Sequence, residues 1–192
     1  MPTTFTLHAH EQTESGDSDT PAREMARAYD EAGVDLVGFV GHDSRPSVPE
    51  DLPVVTMTGT EHELQKRPRK LHVVDFPDQS LRILPHPSLT FPTDTAASAQ
   101  QVAEQIDADA IESFNRGCKE VDPDAVDFPT LGNDDAHNTH QAASTASVAD
   151  CRATPQCVAR AVKQDRAQPV GGSYGRRNHL AGRFHQGINM LF

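Results

Sequence analysis

The sequence predicts a single α/β domain with its chemistry at the strand ends, and three observations lead there. Short apolar runs alternate with segments of helical period, histidines and carboxylates stand where those runs stop, and 192 residues suffice for one buried core but are short for a full eight-fold β/α barrel.

The chain opens on Phe5-Thr6-Leu7-His8-Ala9-His10, an extended segment in which side chains two apart share a face, so His8 and His10 emerge together. A polar loop from Glu11 to Asp19 follows. Thr20 and Pro21 then start a helix in which Met25, Ala28, Tyr29 and Ala32 recur at helical spacing until Gly33 stops it. Val34 to Val40 reads as a buried strand running into Gly41-His42-Asp43, which completes a βαβ unit with an expected parallel pairing and right-handed crossover.

Beyond Asp43 the connections shorten. The segment between it and the apolar run Val54-Val55-Thr56-Met57 is rich in proline and too short for a comfortable crossover helix. Further strands are predicted at Lys70 to Asp75, Leu81 to Leu84, Ala110 to Phe114 and Phe128 to Leu131. Helices are predicted after Thr93 or Asp94, from about Thr139 to Val148, and after Thr154-Pro155. Gly171 to Arg177 reads as a basic turn.

Composition sets the broad class. The chain carries 28 Asp plus Glu against 17 Lys plus Arg, a formal net charge of -11, with only four lysines. That surface repels nucleic acid at long range, so strong nucleic-acid binding is not expected. The Asp-rich, Lys-poor, Trp-free mix resembles proteins of salt-loving archaea. No apolar run approaches membrane-spanning length and the N-terminus carries no basic, apolar leader, so a cytoplasmic location is expected. Cys118, Cys151 and Cys157 form no Cys-x-x-Cys pair, which leaves neither a disulfide framework nor a thiolate zinc site in prospect.

Histidines or carboxylates recur at the end of nearly every proposed strand: His8, His10, His42, Glu61, His72, His86, Asp135 and His137. Converging strand ends would gather them into one metal cluster. Their order and neighbours resemble the PHP (polymerase and histidinol phosphatase) family of metal-dependent phosphoesterases. Leu7-His8-Ala9-His10 is similar to that family's D-L-H-x-H, with Thr6 in place of Asp. Val40-Gly41-His42-Asp43 is similar to T-D-H-D, with Gly41 in place of Asp. Gly59-Thr60-Glu61, Leu71-His72, Pro85-His86-Pro87, Asp109 to Asn115 and Asp135-Ala136-His137-Asn138 resemble the remaining motifs in the right order.

The resemblance, which spans residues 5 to about 140, implies a distorted seven-stranded, TIM-like β/α barrel with shortened crossovers, and residues 1–192 are expected to form one hydrolase domain of that type. It implies up to three divalent ions (zinc, manganese or iron) on His8, His10, Asp17, His42, Glu61, His72, His86, Asp135 and His137, with Asp19 the alternative to Asp17. Glu61 would bridge two metals and, with Asp135 and His137, serve catalysis. The implied reaction is hydrolysis of a phosphomonoester of a small molecule or nucleotide by a hydroxide held between metals. Arg45, Arg116, Arg176 and Arg177 are candidate phosphate clamps, because guanidinium matches phosphate bidentately.

Two other readings stay open: a catalytically silent metal-binding domain with a regulatory or assembly role, and a metal-dependent amidohydrolase. Missing crossover helices would leave apolar flank exposed, so a homo-oligomer is a further expectation.

Overall fold

In a computed structural model, which describes residues 2–13, 16–65, 70–90, 95–116 and 118–170, the chain forms one mixed, curled sheet of half-barrel form with few helices. Its strands are β1 (Thr3–Ala9), β2 (Leu36–His42), β3 (Val55–Gln65), β4 (Leu71–Phe76), β5 (Leu81–Leu84), β6 (Ala110–Asn115), β7 (Cys118–Lys119), β8 (Thr130–Asn133), β9 (Ala146–Ala149) and β10 (Ala167–Val170). The helices are α1 (Ala22–Ala32), the single turn α2 (Pro87–Thr90), α3 (Thr95–Gln105) and α4 (Pro155–Lys163). The strand order is β10-β9-β1-β2-β3-β4-β5-β6-β7, with β8 also paired to β6.

The alternating, TIM-like β/α barrel expected from the sequence is therefore not the fold. β1, β2 and β3 pair in parallel, but β3, β4 and β5 run antiparallel as neighbours, and β9 and β10 add an antiparallel flank beside β1. Connection length is the physical reason. An antiparallel partner needs only a turn, whereas a parallel one needs a crossover of a dozen or more residues. β4 passes to β5 through the single 3-10 turn Pro77–Gln79, and β2 passes to its parallel partner β3 with no helix between them. The helix expected over residues 139–148 is also absent: its second half is β9, paired with β1 and β10.

The expected first helix does form. α1 buries Met25, Ala26 and Tyr29 against Val37 and Phe39 of β2, and ends at Gly33, whose φ of 80° is the left-handed conformation that closes a helix. Pro21 rather than Thr20 occupies its N-cap.

Phe5, Leu7, Leu36, Val40, Phe76, Ile83 and Leu131 fill the inside of the curl, together with Val158, Ala161 and Val162 of α4. Each large side chain so buried contributes about 1.5–3 kcal/mol by leaving water. α4 packs against β3 and β10, and the segment that precedes it meets the start of β1, where Thr3 Oγ1 donates to the Cys151 carbonyl at 2.6 Å. His8 and His10 emerge at the other end of the same strand, beside a bridge between Ala9 and Ala136 that joins the segment after β8 to β1. α3 covers β5 and β6 through Ala99 and Ala103 against Leu84 and Ile111. Among the described residues, no helix is long and apolar enough to cross a membrane, and Cys118, Cys151 and Cys157 are free thiols.

Candidate metal centre

His8 and His10 enter the site from the end of β1, His42 from β2, Glu61 from the middle of β3 and His72 from the start of β4. The long β3 reaches Glu61 because Gly59 allows β4 to press close. A Cβ on Gly59 would lie 2.4 Å from the Asp75 carbonyl oxygen and 2.7 Å from the Phe76 ring. His86 follows β5, and Asp135 and His137 follow β8. All nine ligands expected from the sequence are thus gathered at one end of the curled sheet.

They form three overlapping donor sets, in each of which the ligand atoms lie within 4.8 Å of one another: His10, Asp17, His42 and His137; His8, His10 and Glu61; and Glu61, His72 and His86. His10 and Glu61 each belong to two sets. Asp135 adds a carboxylate oxygen 3.3 Å from His10 Nε2 and 3.6 Å from His8 Nε2. Asp17, not Asp19, is the loop carboxylate in the cluster. Ser18 anchors that loop by donating to the His137 carbonyl at 2.9 Å and sits within 3.4 Å of the His10 carbonyl. Asp17 then reaches His137 Nε2 at 2.9 Å and His42 Nε2 at 3.3 Å.

The electrostatics are those of interlocked imidazoles and carboxylates. Burial alone would raise Glu61, but His8, His42 and His72 outweigh it and hold its carboxyl far below the usual range. Burial would likewise lower His8, but Glu112, Asp135 and Glu61 together raise it well above the usual imidazole value. His10 has burial as its dominant influence and is lowered to about 4, so it stays neutral with a lone pair to offer. Asp135 is held low against the effect of burial by His8, His10, His86 and Arg116.

This donor set fits divalent metal. Neutral imidazole and carboxylate are ligands for zinc, manganese and iron, and they do not choose among them. His8 Nε2 and His10 Nε2 face each other at 3.2 Å, and His72 Nε2 and His86 Nδ1 are buried without a hydrogen-bond partner among the described residues. A buried cluster of this kind is costly unless a cation or protons compensate its lone pairs and charges.

The four arginines separate. Arg116 Nη2 lies 2.9 Å from Asp135 Oδ2 and 3.0 Å from His137 Nδ1, at the rim of the cluster. Arg45 instead pairs with Asp78 and donates to Thr58 at 2.6 Å; it lines a separate surface cavity of about 360 Å³ and is not brought to the cluster. Arg176 and Arg177 lie outside the described residues.

One residue that sequence reasoning gave no role in the site is Glu112, fully buried on β6 and bonded to His8 Nδ1 at 2.8 Å. A charged residue inside the apolar run Ala110-Ile111-Glu112 was the signal available for it.

No family model and no curated protein matches this chain. Its fold is similar to that in the crystal structure of PsfC from Pseudomonas syringae PB-5123, with a TM-score of 0.56 at 14% identity over 100% of this chain and 99% of that one. At that identity the likeness concerns fold alone. The resemblance to the PHP family is accordingly corrected: the full-length likeness is to PsfC, and the mixed, curled sheet is not that family's β/α barrel.

Proposed function

We propose that this chain is a metal-dependent phosphoesterase that hydrolyses a phosphomonoester. The observation that carries the reading is the convergence of three donor sets that share His10 and Glu61. Closely spaced divalent ions supply a water nucleophile at neutral pH and neutralise phosphate oxygens during in-line displacement.

The residues of the chain divide the remaining work. Glu61, shared between two sets, would bridge neighbouring ions, and the imidazoles would fix their geometry. Asp135 and His137 border the side on which Arg116 stands; Arg116 Nη2 and Nε are held by these two residues, and the side chain is 45% exposed, so the open edge of its guanidinium would face a phosphate at the rim. Water adds its oxygen to phosphorus, the ester P–O bond breaks, and the alcohol leaves with a proton.

Exposure favours catalysis over a silent metal site. Structural metal sites are closed, whereas catalytic ones keep an open position. In the set of His10, Asp17, His42 and His137, the Asp17 side chain is 56% exposed and that of His42 38%, so solvent and substrate reach it. The test is a panel of phosphorylated small molecules offered to the protein with added manganese or zinc. Phosphate release that depends on the metal supports the proposal, and metal uptake with no release from any member would favour the silent domain.

A further inference from the structure

We infer that Glu112 is a positioning residue that couples two of the three donor sets, fixing the ring of His8 in one and the backbone of His86 in the other. The inference rests on the metal-binding reading of the site.

The Glu112 carboxylate is fully buried and completely used. Its Oε1 accepts from His8 Nδ1 at 2.8 Å and from Asn133 Nδ2 at 2.9 Å. Its Oε2 accepts from the His86 backbone N–H at 2.8 Å and from Asn115 Nδ2 at 2.9 Å. A carboxylate has about four lone-pair positions, and four donors fill them here. No lone pair is left for a metal, so Glu112 acts through its neighbours.

Two consequences follow for those neighbours. With Nδ1–H committed to Glu112, His8 offers Nε2, the atom that lies 3.2 Å from His10 Nε2 and 3.6 Å from Glu61 Oε1. A hydrogen bond on one ring nitrogen sets which nitrogen binds a metal, and losing such a partner costs roughly 10–100-fold in metal affinity. His86 has a φ of 27°, a strained conformation for a residue with a Cβ, and the bond from its N–H to Glu112 holds it there. His86 Nε2 is thereby kept 3.0 Å from Glu61 Oε1. Glu112 is thus attached to the sets on both sides of Glu61. It touches none of His10, Asp17, His42 and His137 in the hydrogen bonds it makes.

The test is zinc binding by the full chain and its Glu112→Gln variant, titrated against a competing chelator and read as affinity and equivalents per chain. Glutamine keeps the shape, but its NH2 cannot accept from the donors that crowd one end of the carboxylate. The variant should bind the inner equivalents about 10–100-fold more weakly and retain the outer one. Wild-type affinity at every site in the variant would overturn the role of Glu112 alone. No uptake by either protein would overturn the metal reading and this inference with it. A variant that does not fold shifts the decision to the nitrogen-15 shifts of the His8 ring in the zinc-loaded wild type. Protonated Nδ1 with bound Nε2 supports the inference, and protonated Nε2 overturns it.

Discussion

His8 Nε2 and His10 Nε2 face one another across 3.2 Å, with carboxylate oxygens of Glu61 and Asp135 within 3.6 Å of both nitrogens. Burial lowers His10 to about 4, while Glu112, Asp135 and Glu61 raise His8 above the usual imidazole value. Because His10 serves two donor sets and His72 one, the two positions should respond differently to truncation. His10→Ala is predicted to lose more zinc equivalents per chain than His72→Ala, each by more than the roughly 10–100-fold affinity cost of losing an outer hydrogen-bond partner. Metal analysis after dialysis checks this; equal losses would contradict the shared role of His10.

The loop carboxylates give a second contrast. Asp17 lies 2.9 Å from His137 Nε2, whereas the exposed Asp19 is in none of the donor sets. Asp17→Asn should therefore weaken metal binding in the outer set, and Asp19→Asn should leave affinity and stoichiometry at wild-type values in the same titration.

Arg116 is predicted to act on substrate more than on metal. Charge-assisted hydrogen bonds are worth about 1.5–3 kcal/mol, so Arg116→Ala should raise KM for a phosphomonoester about 10–100-fold, beyond any loss of metal through its contacts with Asp135 and His137. Lysine at this position should recover part of the loss, since it supplies charge without the two-pronged geometry. Steady-state kinetics together with metal analysis on the same samples separate the two effects.

Asp134 should give the fold a pH dependence. Its carboxyl is fully buried, and burial pushes it up to about 7 against the pull of bonds from Tyr29, Ala143 and Thr6. The folded state therefore keeps Asp134 neutral where the unfolded chain would ionise it. Its stabilising contribution is fully present below about pH 4 and is lost as pH rises towards 7. Asp134→Asn, compared with wild type by denaturant unfolding at several pH values in that window, should flatten this part of the profile. An unchanged slope would contradict the assignment.

Several candidate ligands were legible in the sequence as single polar residues at or near the end of an apolar run, as with His8 and His10 after Phe5-Thr6-Leu7 and His86 after Leu81 to Leu84, whereas Glu61 lies inside β3 and Asp17 in a polar loop. The architecture was not legible, because the apolar run Leu71 to Phe76 reads the same whether its neighbour is parallel or antiparallel. Connection length carried only part of that information: the link from Phe76 to Leu81 makes a hairpin, whereas the helix-free link from His42 to Val55 joins parallel strands. The stretch from Thr139 to Val148 has the small residues of a helix, but tertiary contacts decide it: the Ala143 N–H goes to Asp134, and Ala146–Ala149 pairs with β1 and β10. Glu112 stayed without a role because its partners, Asn115, Asn133 and the His86 amide, come from three separate segments.

The most direct test of metal-dependent ester hydrolysis is phosphate release measured on one preparation as purified, after chelation, and after return of manganese or zinc, with the His8→Ala, His10→Ala double variant alongside. The account predicts release that disappears on chelation, returns with metal and is absent from the double variant, which also holds less metal. Release that survives chelation, or persists in the double variant, would contradict it.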